Sequence, residues 1–524
     1  MPATSVSEII TKVNRAALIV LAVALALFVL LSLQWRFQHD TALLFYISFL
    51  FEHFGYFPYR DVFDVNLPLT YLTYAMIGRF TGYSDLGVRF ADLTMLGGLM
   101  LMTWQWMKIF GRHVAWAGAI VFGLVYLRLG PAVSLQREFL ILLPVLGGIL
   151  AFTQLRRFKP EVRAALSGFL FGIACLIKPH AVLAFPILVM FEIAEQRTNI
   201  RSVLVQTVLP AIGGFLVPIL VFLIYLTRFE ALQPFLSVIR QYYPLYAQLN
   251  GEQSTLAEGE RLGYLLHGYF QFGGFGWWWI PALWGLYAFL RTQPNKNQRR
   301  QAILLLTLMI GYSLYPVFSG KFWHYHWLLF AYFSVQAGAL SLDQADATPV
   351  VRRMGPIAMF LGFAFFAATP TTFMLDQIRS GGIQPIKGGR VDAISEYLRP
   401  RLRPGDTVQP LDWTGGAAHA LLLAEARPAT RFVYDVMFYH HISGKYTQGL
   451  RREFVTQLQL SEPRFIVEVF GEDKPWVKGE DTTREFPELK SLLQEHYVVI
   501  AEGNGYRILE RKDNKSGLGE FPRR

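Results

Sequence analysis

The eighteen residues from Ala16 to Leu33, AALIVLAVALALFVLLSL, carry no charge, and about twenty such residues cross a bilayer as a helix. Runs of the same kind recur near 86–107, 114–127, 139–155, 164–177, 181–195, 203–226, 275–290, 302–318, 327–342 and 355–370, which makes eleven candidate spans. In a chain of 524 residues that is 53% hydrophobic and only 17% charged, that recurrence excludes one or two soluble domains and predicts a multi-spanning α-helical membrane protein. The first run is not read as a cleaved signal. Its small-x-small triplets, such as Ala22-Val23-Ala24, fall mid-run, and Gln34-Trp35-Arg36 follows, so an uncleaved anchor is expected.

Charge then orders the loops. Sixteen basic residues, from Lys12 and Arg15 through Lys108 and Arg112 to Arg352 and Arg353, fall on alternate loops counted from the N-terminus. By the positive-inside rule these loops face the cytoplasm, and an odd number of spans puts the C-terminus outside. Much of the net charge of +11 is therefore topological and does not point to nucleic acid. The single cysteine, Cys175, allows no intrachain disulfide.

The other loops hold nearly every chemically suggestive side chain. They are the long first loop 34–85, YLRLGPAVSLQREF (126–139), KPH (178–180), the loop 227–274, GKFWHYHW (320–327) and everything after about 370. Two aromatic, amphipathic stretches in the first loop, 41–54 and 68–80, suit helices lying in the membrane interface. From 371 the composition turns soluble. Helices are expected over 392–402, 415–426, 447–458 and 486–497, and strands over 407–412, 431–436 and 464–470 with a closing pair in 498–511. That alternation predicts an extracytoplasmic α/β domain over 371–511 with a mostly parallel sheet, next to a membrane domain over 1–370. The polar tail 512–524 is expected to be disordered.

Asp40 follows the first span at the membrane boundary. Taken alone it reads as a helix cap, His-Asp-Thr-Ala-Leu-Leu. Its loop, however, continues as YRDVFDVNLP (59–68), adding Arg60, Asp61 and Asp64. A carboxylate facing a membrane cavity stays ionised when a cation is near and can then take a proton from a hydroxyl. Cations gather on the same face from separate loops: Arg60, Arg128, Arg137, Lys178, His180, Lys321 and His324. Four of them have an ordinary structural alternative: a snorkelling helix end for Lys178, a turn at Pro179 for His180, a local pair with Glu138 for Arg137, and an aromatic belt for His324 together with His326. Asp40, Asp61 and Asp64 could also hold a divalent ion through oxygen ligands.

An aspartate soon after the first span, a large first loop with two interfacial helices, the YRDVFDVNLP continuation and a C-terminal soluble domain resemble the GT-C glycosyltransferases. The nearest branch is the protein O-mannosyltransferase and lipid A aminoarabinose transferase type, with weaker echoes at QREF (136–139), KPH and KFWHYHW. The resemblance implies an inverting transfer from a polyprenyl-phosphate sugar to an envelope hydroxyl on a lipid, polysaccharide or protein, at the outer face of the inner (plasma) membrane. Carried onto this chain, Asp40 is the general base, with Asp61 and Asp64 as further catalytic candidates, and the cations hold the donor phosphate. No cofactor or metal is implied. Thr41 stands where some relatives have a second acidic residue, and Leu67-Pro68 where some have Lys-Pro. A transporter or flippase of a lipid-linked glycan is the alternative; a histidine-dependent O-acyltransferase ranks last.

Overall fold

The computed structural model describes residues 6–195, 200–257, 259–342, 350–470 and 474–512. The expected disordered tail beyond Lys512 lies outside the described residues. Among the described residues six helices are long and apolar enough to span a bilayer: Glu8–Ser32, Asp85–Phe110, Arg137–Gln154, Pro160–Ile177, Ile200–Arg228 and Lys296–Ser319. A seventh span results if Met354–Ala367 and Thr372–Ser380, bent by 41° at their junction, are one. The remaining expected spans are present as shorter helices, Arg112–Arg128, Ala184–Glu195, Trp279–Leu290 and Leu328–Ala339. Leu328–Ala339 is buried at every residue. A helix surrounded by other helices is apolar all round whether or not it spans, so hydropathy alone does not separate the two cases.

Small residues bring two of the spans together. In Pro160–Ile177 the glycines of Gly168-Phe-Leu-Phe-Gly172 face Ala211, Phe215 and Pro218 of the helix Leu209–Arg228, and a Cβ on Gly168 would overlap the Ala211 carbonyl oxygen. A Cβ on Gly214 would overlap the Ala165 carbonyl in the same way. Without a hydrophobic drive between helices in lipid, this close backbone approach is what association depends on.

A buried polar cluster ties the helix ends beneath the first loop. Arg89 pairs with Asp92 and donates to Ser32 Oγ and Ser134 Oγ, while Asp92 accepts from Tyr126 Oη at 2.6 Å. Both charges sit in the first two turns of a span, and no sequence expectation included them. Thr41 Oγ1 donates to the Ser134 carbonyl at 3.1 Å and Tyr74 Oη to the Leu135 carbonyl. The start of the Arg137 helix is thus clamped to both helices of the first loop, Asp40–Phe54 and Pro68–Thr81.

The soluble module carries one mixed sheet: β1 (Thr407–Leu411), β2 (Arg427–Pro428), β3 (Phe465–Val469), β4 (Tyr497–Gly503) and β5 (Tyr506–Arg511) in the order β2-β1-β3-β5-β4. β1 pairs in parallel with β2 and β3, whereas β5 is antiparallel to both β3 and β4, so the sheet is not mostly parallel. The expected strand 431–436 is absent. The β1–β2 ladder stops at Val408↔Pro428, Pro410 has no N–H to extend it, and the Gln409 amide instead holds Thr430 and the Phe432 carbonyl. The chain then leaves the sheet, and the Arg431 carbonyl accepts from Phe63 N in the first loop.

This module lies directly on the first loop. Arg36 bridges Asp85 (2.7 Å) and Asp392 (2.7 Å), Phe37 stacks on His419 at 4.5 Å, and Tyr46 Oη donates to the Ala426 carbonyl. Helix Asp40–Phe54 is consequently buried from Thr41 to Leu50, where an interfacial helix would leave one face free. Replacing Gly168 or Gly214 by Ala is expected to lower stability by about 1–3 kcal/mol through overpacking. Gly213→Ala, with nothing within 4 Å of its added Cβ, is the control. Thermal midpoints of the three variants check this, and equal midpoints would discount the contact.

Candidate functional site

A cavity of about 590 Å³ opens where the first loop, the helix ends and the soluble module meet. Of the ten candidate site residues, seven line it: Asp40, Asp64, Arg137, Lys178, His180, Lys321 and His324. The other three do not. Arg60 and Asp61 pair with each other at 2.8 Å on the surface, where Asp61 also accepts from Phe57 N to close a turn and Arg60 donates to the Phe229 carbonyl. Arg128 donates to Thr369 Oγ1 and to the Phe366 carbonyl and lies over the Phe366 ring. Among the described residues no three His, Cys, Asp or Glu side chains converge as a metal site, so the oxygen set Asp40–Asp61–Asp64 is not assembled.

Asp40 is the first residue of its helix, and its carboxylate caps nothing. His39, before it, takes φ 56°, a backbone region that non-glycine residues adopt at a cost. That geometry leaves the carboxylate facing the cavity. It meets His39 Nδ1 at 3.0 Å, accepts from Tyr325 Oη at 3.2 Å and lies 3.7 Å from Arg137 Nη2. Burial would raise its pKa, but His39, Arg137 and Lys178 together outweigh burial and hold the carboxyl well below the usual carboxylate range.

Arg137 opens a membrane-spanning helix and is 8% exposed. Its Nε has no hydrogen-bond partner. Glu138, the next residue, turns to other partners: Lys178 Nζ at 3.0 Å, Tyr315 Oη at 2.8 Å and His326 Nε2 at 3.5 Å. The sequence alternative of an Arg137–Glu138 pair therefore separates into two, with Arg137 toward Asp40 and Lys178 on Glu138. Burial, reinforced by Arg137, pushes the Lys178 ammonium down. Burial also pushes His326 down to about 3, so it is neutral beside Glu138. His180 stacks edge-on against Tyr315, with its Nδ1 unpartnered.

On the far wall Lys321 is committed to the loop 227–274. Its Nζ donates to the Leu249 carbonyl at 2.6 Å and to Tyr246 O at 3.3 Å, over the Tyr246 ring. Burial pushes its pKa down to about 7. His324 is exposed, its Nδ1 3.0 Å from the Gly273 carbonyl. A π-helical turn over Val238–Tyr242 carries Tyr242 to the cavity, with Tyr243 and Tyr246 just beyond it, a helix irregularity common at functional sites. Trp413, Thr414, Tyr434 and Val436 of the soluble module close the roof.

Asp64 differs from Asp40. Its Oδ1 accepts from the backbone of Val65 and Asn66 and from Asn66 Nδ2 at 2.8 Å, while Oδ2 is buried with no partner. Burial pushes this carboxyl up to about 6 despite Arg137. The cavity thus holds one carboxylate that is firmly ionised and one that titrates near neutrality. The residues that sequence reasoning missed here are Glu138, Tyr325 and the aromatic roof. A carboxylate inside an apolar run, as in QREFLILL, is itself a signal, since charge in a span needs a partner.

No family model and no curated protein matches this chain. Solved structures do. ArnT from Cupriavidus metallidurans bound to undecaprenyl phosphate aligns over 96% of this chain and 99% of its own, at 11% identity and a TM-score of 0.61. The apo state of the same protein aligns over 94% and 97% at 12% identity and 0.58. The archaeal oligosaccharyltransferase AglB from Archaeoglobus fulgidus covers 87% of this chain and 69% of its own at 12% identity and 0.48. The chain shares the fold of ArnT over 96% of its length.

The Asp64 geometry fixes a pH dependence. Its native pKa of about 6 lies above the ordinary 3.8, so the folded state binds that proton more tightly and loses stability as pH rises between those values. Above pH 6 the loss is constant, of the order of 3 kcal/mol. Asp64→Asn keeps an oxygen for the two backbone N–H groups and has nothing to ionise. It is expected to unfold at a higher temperature than the wild type at pH 7.5 and at about the same temperature near pH 4. A wild-type-like pH profile in the variant would show that the buried carboxyl does not titrate there.

Proposed function

We propose that the cavity transfers a glycosyl group, with inversion, from a polyprenyl-phosphate sugar to a hydroxyl of a cell-envelope lipid, polysaccharide or protein, on the extracytoplasmic face of the inner (plasma) membrane. The observation that carries this reading is the meeting of Asp40 with Arg137. An ionised carboxylate and a buried guanidinium with a spare N–H face one cavity from opposite loops. That is the pair of groups that a displacement at a sugar phosphate needs, a proton acceptor on one side and an anion receptor on the other.

In this scheme the acceptor oxygen forms a bond to the anomeric carbon as its proton passes to Asp40. The bond from that carbon to the phosphate oxygen breaks, and the electron pair leaves with the lipid phosphate. Arg137 meets the charge developing on that phosphate, with Lys178 and His180 behind it. Lys178 is already shared with Glu138, which tempers its charge and lets the product phosphate depart. Tyr325 holds the Asp40 carboxylate in place through its hydroxyl. Lys321 and His324 lie within the cavity wall; with Lys321 bound to two backbone carbonyls, its first role is to fasten the loop that carries Tyr246. No metal or other cofactor is required by the scheme.

A fold shared with ArnT, a protein whose structure holds undecaprenyl phosphate, supports a lipid-phosphate partner. A lipid-linked glycan transporter is not favoured. Its coupling groups belong in mid-span, whereas the groups described here cluster at helix ends.

Asp40→Asn is expected to lower transfer by about 10³-fold while polyprenyl-phosphate binding persists. Arg137→Ala is expected to weaken that binding and to reduce transfer by about 10²–10³-fold. Envelope glycans of a deletion strain complemented with each variant, analysed by mass spectrometry, read transfer, and retention of polyprenyl phosphate by the purified variants reads binding. Full transfer by Asp40→Asn would remove Asp40 from the chemistry.

A further inference from the structure

A second cavity, of about 810 Å³, lies at the other end of the bundle, lined by Trp104, Lys108, Arg112, Trp116, Thr153, Gln154, Arg156, Asn297 and their neighbours. The helix Arg137–Gln154 has its first residue in one cavity and its last in the other, and the run Lys296–Ser319 likewise reaches both. At 1.5 Å per residue the two sites are about 25 Å apart along the helix axis. Three cations, Lys108, Arg112 and Arg156, line this cavity, and among the described residues no carboxylate does.

Among the described residues none of the three forms an ion pair. Lys108 donates to Gln105 Oε1 at 2.6 Å and Arg156 to Asn297 Oδ1 at 2.8 Å, both uncharged amides. Arg112 forms no ion pair among the described residues, although it is the first residue of the helix Arg112–Arg128, where the backbone already presents positive partial charge. A cation in that position is destabilising unless an anion accompanies it. Trp104 and Trp116 stand 6.1 Å apart at the same rim, Lys108 lies over the Trp104 ring, and Trp104 Nε1 is a buried donor with no partner. Paired indoles beside uncompensated cations at the ends of apolar helices match a lipid head group, with phosphate among the cations and glycerol and acyl chains along the rings.

We propose that this cavity seats the phosphate of an anionic bilayer phospholipid in the leaflet opposite the transfer site. The lipid ties together the ends of Asp85–Phe110, Arg112–Arg128, Arg137–Gln154 and Lys296–Ser319. It stands apart from the transfer chemistry and does not depend on it.

The full-length protein, delipidated and reloaded with phosphatidylglycerol, phosphatidylcholine or undecaprenyl phosphate one at a time, tests this by native mass spectrometry. The wild type is expected to retain phosphatidylglycerol about ten-fold better than phosphatidylcholine, as a charge-assisted phosphate contact requires. Arg112→Gln with Arg156→Gln should remove that preference. If the double variant does not fold, the exposed Arg112→Gln alone decides, with a several-fold loss expected. Equal retention of both phospholipids by the wild type, or an unchanged preference in the variant, overturns the proposal. Undecaprenyl phosphate displacing phosphatidylglycerol from the wild type but not from the variant assigns the cavity to the carrier lipid and overturns it equally.

Discussion

A guanidinium taken out of water at the end of a membrane helix costs several kcal/mol unless carboxylates face it. Arg137 is such a group, and much of the surrounding architecture serves to bring acids to it. Asp40 arrives from the first helix of the first loop and Asp64 from the turn that follows that helix, while Glu138, next to Arg137 in the chain, is taken by Lys178. The arrangement needs the helix starts held in register, and the Arg89–Asp92–Ser134 cluster with the Thr41 and Tyr74 hydroxyls provides that. Arg137 Nε is a buried donor without a partner, as Asp64 Oδ2 is a buried acceptor without one in the same cavity. A buried donor left unpaired costs stability in the empty protein and is recovered only when an acceptor enters.

How much of this was legible in the residues differs from place to place. Helical runs and the switch to an α/β module follow from apolar spacing and were readable, as was the helix Asp40–Phe54. Its burial was not, because a helix covered by another module has the same composition as one resting on lipid. The misread strand 431–436 teaches the same lesson: Phe432, Val433 and Tyr434 are apolar because they sit under the first loop, and Pro410 had already closed that side of the sheet.

At the site, loop position was a good guide and local sequence a poor one. Cations at helix termini, Arg137 opening one helix and Lys178 closing another, converge, since a helix end fixes where they lie. Arg60 and Asp61, adjacent in sequence and on an exposed turn, satisfy each other. Arg128 is the informative failure. It ends its helix on the expected face, but Thr369 and the Phe366 carbonyl lie within reach and capture it. Partners so distant in the chain leave no trace in the residues near Arg128.

The roof over the cavity has a consequence for how the protein is made. Trp413, Thr414, Tyr434 and Val436 are carried by a module whose sheet is completed only when β5 (Tyr506–Arg511) inserts between β3 and β4. During translation the bundle, with Asp40 and Arg137 in place, emerges well before that final strand exists. The pocket that starts with Asp40 is thus closed by a module whose sheet needs Tyr506–Arg511, so one site draws on both ends of the described chain.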